Sequence, residues 1–420
     1  MTMKSVLLGA AAGIAAIGAA QAADLPMTKG EAVEYVKVCS AFGPGFFYIP
    51  GTDTCLKIGG EIRAKYYAYG GTGYNRNDNR SAFDTQARIW FDARTETDWG
   101  LLRSYFQINA DSNKLKGRGG GDGSRNSFAI DKAFIQFGGL TAGYAHSFFG
   151  FYDNEYGDTL EGNYYGQSKT VNLLAYTAQF GGGFSATLSI EDGRDHRVLD
   201  NVDVIAPFVR DGGQQVPDVV GQVRWDQSWG SLAVQAAGHQ SRTGEAYVDA
   251  DDNAVNVRRS NKYGYAVGAT GLIKIPAIDG WFVVEGQYAD GALDYLGAYN
   301  TFVTQSDRFV NAAGRLDTGK GWSITGELGG HITPQLQAVL VGSYIDTTFD
   351  RFNTNGSDAG IKEYSISGNL TYTIVKGLKV AGEVGYTHGK LDNGTWTDEK
   401  GRVRDNYNNW MAGMRITRQF

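Results

Sequence analysis

Proline is scarce in this sequence, seven residues in 420, and cysteine scarcer, with two. Past the first twenty-odd residues no long uninterrupted apolar run occurs, which excludes a bundle of membrane-spanning helices. Histidine is also rare: His146, His196, His239, His331 and His388 are scattered without metal-ligand spacing, so no metal and no cofactor is expected. There is no excess of positive charge. A net charge of −6 gives no reason to expect a nucleic-acid partner. The glycine-rich run 117–123 is followed by no Gly-Lys-Ser/Thr and opens no helix, so it is a loop rather than a phosphate cradle. Asn355-Gly356-Ser357 and Asn393-Gly394-Thr395 match a glycosylation acceptor only through loop composition. No Ser/His or Asp/His set is brought together near one rim, as a barrel phospholipase or protease would need, so the chain is read as not an enzyme.

What is present begins with an export signal. Met1 to Lys4 are short and weakly basic, Val6 to Ala20 are apolar and rich in alanine and glycine, and Ala20-Gln21-Ala22 fits a small-x-small cleavage site. Residues 1–22 are therefore a signal peptide, and the apolar run is too short to serve easily as an anchor. The 398 residues left from 420 after removing 22 would be exported. In an oxidising compartment Cys39 and Cys55, close together near the new N-terminus, are expected to be bridged rather than catalytic. Residues 23–55 form an N-terminal periplasmic segment carrying that disulfide, either as a hairpin or as a piece of lumen lining.

From Leu56 to Phe420 the sequence repeats one pattern, segments of about ten residues in which apolar side chains alternate with polar or small ones. Tyr364, Ile366, Gly368, Leu370, Tyr372 and Ile374 share one side of a strand; Glu363, Ser365, Ser367, Asn369, Thr371 and Thr373 share the other. Glycine at 59 residues and tyrosine at 24 suit many strands joined by polar turns. A soluble β-sandwich would alternate too. The connections separate the two. Short turns such as Asp98-Trp99-Gly100, Gly138-Gly139, Ser228-Trp229-Gly230 and Thr333-Pro334-Gln335 take turns with long, polar, glycine-rich loops such as 112–126, 147–170 and 291–319. Short turns on one rim and long loops on the other are how a transmembrane barrel is built.

Strand cores fall near 56–69, 81–97, 101–111, 127–137, 140–146, 171–180, 184–192, 218–227, 231–241, 262–274, 281–290, 320–332, 336–346, 363–374, 378–388 and 407–420, sixteen in all. The fold class is thus all-β: a transmembrane, sixteen-stranded antiparallel β-barrel over 56–420, wide enough for an aqueous channel. Lipid outside and water inside invert the usual burial rule, so a chain of negative mean hydropathy can span a membrane. Trp99, Trp229, Trp281, Trp322 and Phe184 flank the short turns as an aromatic girdle. Trp410, Ala412, Met414 and Ile416 make an apolar last strand that ends on Phe420, with Arg418 placed to snorkel at the rim.

A wide barrel needs narrowing. The third long loop, 147–170, carries Phe148, Phe149, Phe151, Tyr152, Tyr156, Tyr164 and Tyr165, a load that suits a loop folded into the lumen. The same loop holds Asp153, Glu155, Asp158 and Glu161 and a single lysine, Lys169. Alternation puts Arg63, Lys65, Arg88, Arg94 and Arg103 on the inner face of the first three strands. An acidic loop facing a basic wall would set a transverse field across the eyelet. A substrate-specific channel, with the loop aromatics as a stacking track for sugars, is the alternative.

The run Glu34-Tyr35-Val36-Lys37-Val38-Cys39 and the segment Gly45-Phe46-Phe47-Tyr48-Ile49-Pro50-Gly51-Thr52-Asp53-Thr54-Cys55-Leu56 resemble the alphaproteobacterial general porins of the rhizobial and Brucella type. Ser147-Phe148-Phe149-Gly150-Phe151-Tyr152-Asp153 and the closing Arg415-Ile416-Thr417-Arg418-Gln419-Phe420 extend the resemblance over the whole mature chain. It implies a homotrimer of sixteen-stranded barrels in the outer membrane of a Gram-negative bacterium, in contact with lipid and lipopolysaccharide. Passive diffusion of small hydrophilic solutes and ions and an inward-folded third loop are implied with it. Phe420 resembles the signal read by the barrel-assembly machinery, with Arg418 standing where an aromatic is often found.

Overall fold

The computed structural model describes residues 37–74, 78–112, 126–152, 160, 162–167, 169–197, 213–242, 247–248, 254–255, 261–301, 305–310, 316–348, 360–398 and 400–420. The signal peptide, the run 117–123 and the Asn355 motif lie outside these residues. Sixteen strands follow one another: β1 (Cys55–Gly71), β2 (Ser81–Thr97), β3 (Gly100–Ser112), β4 (Ser127–Phe137), β5 (Leu140–His146), β6 (Thr170–Gly181), β7 (Phe184–Glu191), β8 (Asp218–Gln227), β9 (Gly230–Arg242), β10 (Asn261–Ile275), β11 (Gly280–Asp290), β12 (Lys320–Thr333), β13 (Leu336–Thr348), β14 (Gly360–Val375), β15 (Leu378–Asp392) and β16 (Asn406–Gln419).

Each strand pairs antiparallel with the next. β16 returns to β1, from Gly71↔Asn409 to Glu61↔Gln419, and closes the cylinder. Closure leaves no row of unpaired backbone groups, which hydrocarbon would not tolerate. Each strand core read from the sequence is matched. The largest differences are three to four residues, at the long-loop ends of β14 and β15, which begin at Gly360 and end at Asp392.

Burial is inverted as a lipid-facing cylinder requires. Phe83, Leu188 and Val384 on the outer face are 71%, 61% and 66% exposed, whereas Glu285 and Glu327 on the inner face are 1% exposed. The aromatic girdle needs two corrections. Trp99, Trp229 and Phe184 do lie exposed by the short turns. Trp322, however, stands near the start of β12, across from Tyr288 and Asp346, so it belongs to the long-loop rim. Trp281 is by a short turn but points inward, because the outward register of β11 is set by Phe282; its indole N–H donates to Glu327. The richer belt is at the long-loop rim, where rings pair across strands: Tyr66 with Phe83, Tyr265 with Tyr288, Trp322 with Tyr344 and Tyr364 with Tyr386. Amphipathic rings favour that depth.

The largest apolar cluster lies inside the barrel. Small or β-branched side chains on the inner face, Val220, Ala237, Ala266, Ala289 and Ile345, leave room for Phe149, Tyr165, Leu293, Tyr295 and Leu296, which come from the third and sixth long loops. Each large apolar group so buried contributes about 1.5–3 kcal/mol.

Cys39 and Cys55 are joined, their Cα atoms 6.0 Å apart, and Phe47–Tyr48 extends the sheet beside β1. This lobe packs on inward-facing side chains at the short-turn end. The Arg94 guanidinium lies 4.9 Å from the Phe46 ring centroid, and the Lys57 ammonium 5.8 Å from it.

Candidate functional site: the lumen and its inward loop

After the seven residues of β5 the chain turns into the lumen instead of over the rim. Its course is fixed by polar groups that even spacing had already put on the inner wall. Glu191 accepts the Ser147 hydroxyl at 2.7 Å and the Phe148 N–H at 3.0 Å. The Gln222 amide donates to the carbonyls of Phe148 and Gly150, both at 2.9 Å. Tyr152 donates its hydroxyl to Glu327 at 2.6 Å. Further on, Leu160 N–H meets Glu383, Tyr165 N–H reaches Ser343 Oγ at 2.7 Å, and its phenol donates to Glu363. Gln167 N–H returns to Glu285 at 2.9 Å. Most of these bonds are buried where the loop packs on the wall, and so satisfy donors that water does not reach there.

Five glutamates thus hold the loop: 191, 285, 327, 363 and 383. Alternation marks each of them as inward. What it could not supply was the partner, a loop over a hundred residues away in four of the five cases.

The roots of the loop are bolted by charge. Lys169 donates to Asp294 at 2.5 Å, and His196 lies between Glu191 at 2.8 Å and Asp294 at 3.3 Å. Its ring stacks on Tyr295 at 4.2 Å between centroids. Burial alone would lower the His196 pKa, but the two carboxylates more than offset it and raise it to about 9. Asp294 is held below the usual carboxylate range: burial raises it, and Lys169 and His196 outweigh that.

Apart from the root contacts to His196 and Asp294, the wall residues named here lie on β7, β8 or β11–β15. The wall opposite is β1–β3, and there Arg63, Lys65, Arg88, Arg94 and Arg103 all face inward. Arg63 and Arg88 share Glu61 at 2.6 and 3.6 Å, while Lys65 meets Asp84 at 3.2 Å. Arg94 and Arg103 share Asp92 at 2.7 and 2.9 Å. Their heights differ. Arg94 and Arg103 sit three residues from the Thr97–Gly100 turn and Arg94 stacks on the N-terminal lobe, whereas Arg63, Lys65 and Arg88 are mid-strand. Lys65 pairs across the seam with Arg415, next to the Tyr67↔Gly413 pair that Leu160 of the loop touches. The loop's acidic residues Asp153, Glu155, Asp158 and Glu161 lie outside the described residues.

Among the described residues the loop aromatics are spent on packing. Phe149, Tyr152 and Tyr165 are buried, and Phe151 lies under the Arg224 guanidinium at 4.4 Å. They offer a passing sugar no row of open rings.

A family model described as a porin subfamily matches residues 24–414. The chain belongs to that family. Porin Omp2b of Brucella neotomae is 29% identical over the full length of both proteins. Porin Omp2b of Brucella suis biovar 1 is 36% identical over 56% of this chain and 65% of its own. Among solved structures, the outer membrane channel DcaP of Acinetobacter baumannii superposes over 89% of this chain and 99% of that one, with a TM-score of 0.63 at 16% identity. Salmonella typhi OmpF, in its daunomycin complex, covers 88% of this porin with a TM-score of 0.50 at 14% identity. Those two likenesses speak for the barrel alone. Family and fold together make the protein an outer-membrane porin, a water-filled channel for small hydrophilic solutes and ions.

Proposed function

We propose that the narrowest section of this porin lies between the inward loop, with Asp153, Glu155, Asp158 and Glu161, and the mid-strand cations Arg63, Lys65 and Arg88. Arg94 and Arg103 then guard the short-turn mouth. The observation that carries this reading is where the described part of the loop is anchored: it hangs from carboxylates on β7, β11, β12, β14 and β15, and the basic face of β1–β3 lies across the gap. Salt screens charges beyond about 10 Å at 0.1 M, so only an eyelet that tight lets the opposed charges order water and sort ions.

The same reading includes export by residues 1–22, assembly as a homotrimer among lipid and lipopolysaccharide, and recognition of Phe420 by the barrel-assembly machinery. Resemblance to the porin family supports these; the buried loop aromatics favour simple diffusion over a sugar track. The test is the reversal potential of single channels in a planar bilayer under a salt gradient. Replacing Arg63, Lys65 and Arg88 with alanine should shift it toward cations and widen the conductance. Unchanged selectivity and conductance would remove these residues from the eyelet.

A further inference from the structure

We propose that the disulfide-closed lobe of residues 37–55 is a second selectivity element of the channel, an inner lip at the short-turn mouth in which Phe46 positions Arg94. The register of β1 puts the lobe there. Cys55, Lys57, Gly59 and Glu61 share the inward side of that strand, while Ile58 and Ile62 face out at 45% and 49% exposure. A bridge from Cys55 to Cys39 therefore holds the lobe on the lumen side of the wall. Among the described residues, pairing of β16 with β1 stops at the Gly60–Phe420 bonds. Beyond them Phe47 and Tyr48 take the free edge of β1, opposite Leu56 and Cys55. The same two-residue period turns Phe46 inward beside Lys57.

Phe46 meets two cations of the inner wall. The Arg94 guanidinium lies 4.9 Å from its ring centroid and 5.8 Å from that of Phe42, and the Lys57 ammonium lies 5.8 Å from Phe46. The two phenylalanine rings pack on each other at 5.9 Å. An aromatic face fixes a cation in place without neutralising it. Asp92 does take both Arg94 and Arg103, at 2.7 and 2.9 Å, and Glu96 stands exposed nearer the turn. Lys57, Arg94 and Arg103 thus outnumber the inward carboxylates beside them, and the lip stays positive. A ring of fixed charge at a narrowed mouth favours small anions such as chloride and carboxylates. The proposal rests on the reading that Arg94 guards this mouth.

The test uses the full-length porin in a planar bilayer under a potassium chloride gradient. Dithiothreitol, added to channels already inserted, reduces the bridge to two thiols and is itself oxidised to a cyclic disulfide. Conductance should then rise and the reversal potential move toward cations. A Cys39→Ser, Cys55→Ser double variant should start from those values and ignore the reductant. With the bridge intact, Phe46→Ala should move the reversal potential the same way, and Phe46→Tyr, which keeps the ring, should restore it. A lobe that only braces the seam would give F46A a lower yield of folded barrel and leave the reversal potential of inserted channels unmoved; that result overturns the lip. Arg94→Gln separates the two readings. No shift in R94Q sinks the guarded mouth and the lip together. A shift in R94Q, with none in F46A or on reduction, sinks the lip alone.

Discussion

Phe420 and Gly60 close the barrel. Each donates its N–H to the other's carbonyl, at 2.9 and 3.1 Å, and the Phe420 ring occupies the space where a Cβ on Gly60 would stand. The same device recurs where Trp90 covers Gly59, Trp410 covers Gly70 and Trp281 covers Gly329. A ring laid over a cross-strand glycine shields exposed backbone and pins the register.

Gly60→Val should therefore force the terminal ring off the seam. Overpacking of this kind costs about 1–3 kcal/mol. The expected result is a lower yield of the heat-modifiable folded form on gels, with Phe420→Ala only partly additive to it. Full yield in G60V would show that the ring's seat is not needed for closure.

His196 makes loop anchoring depend on pH. Its pKa is raised from 6.5 to about 9 by Glu191 and Asp294. A group whose folded pKa is raised stabilises fully below its unfolded value and loses that contribution as pH climbs through the folded one. The charged and titratable groups around it are Glu191, Asp294 and Lys169, with Tyr295 stacked on the ring and Asp218 and His239 one layer beyond. Between pH 8 and pH 10 (about one unit either side of that value) open-channel noise and brief closures should rise in the wild type. His196→Gln should be noisy at neutral pH and flat across the range. A wild-type trace unaltered up to pH 10 would discount the histidine as an anchor.

Tyr165 is fully buried where the loop attaches, with its phenol on Glu363 and its N–H on Ser343. Glu363 also receives the Tyr407 phenol. Tyr165→Phe removes one donor from a buried carboxylate, worth about 1–3 kcal/mol of attachment. More frequent voltage-driven closures should follow, along with faster protease cleavage within 153–159. Identical closure statistics would mean that the other four glutamates hold the loop unaided.

How far the sequence alone reaches can be judged from these residues. Alternation gives the face of the strand residues named, Trp281 excepted, because a two-residue period admits only two answers. Turn and loop lengths gave strand count and direction. Height along the axis was harder: Arg94 and Arg63 look alike by alternation, yet one sits at the mouth and the other mid-strand. The rim of Trp322 falls in the same gap, since strand direction has to be combined with position to choose it. Trp281 broke the girdle because its neighbour Phe282 holds the outward place. The glutamate anchors were invisible as anchors, since their partners are set by how a loop folds in space and not by any local pattern. The inner-wall alanines were equally silent until Phe149 and Tyr295 were seen seated on them.

The lopsided suspension of the loop divides labour between the two halves of the cylinder. One half is committed to carpentry: altering a glutamate there risks dropping the partition it supports. Among the described residues none of the loop's carboxylate anchors lies on the other half, so its cations can be exchanged, added or neutralised without altering one. A channel arranged in this way can have its ionic taste revised by editing β1–β3 without being rebuilt, which makes that arc the natural place to engineer a new preference.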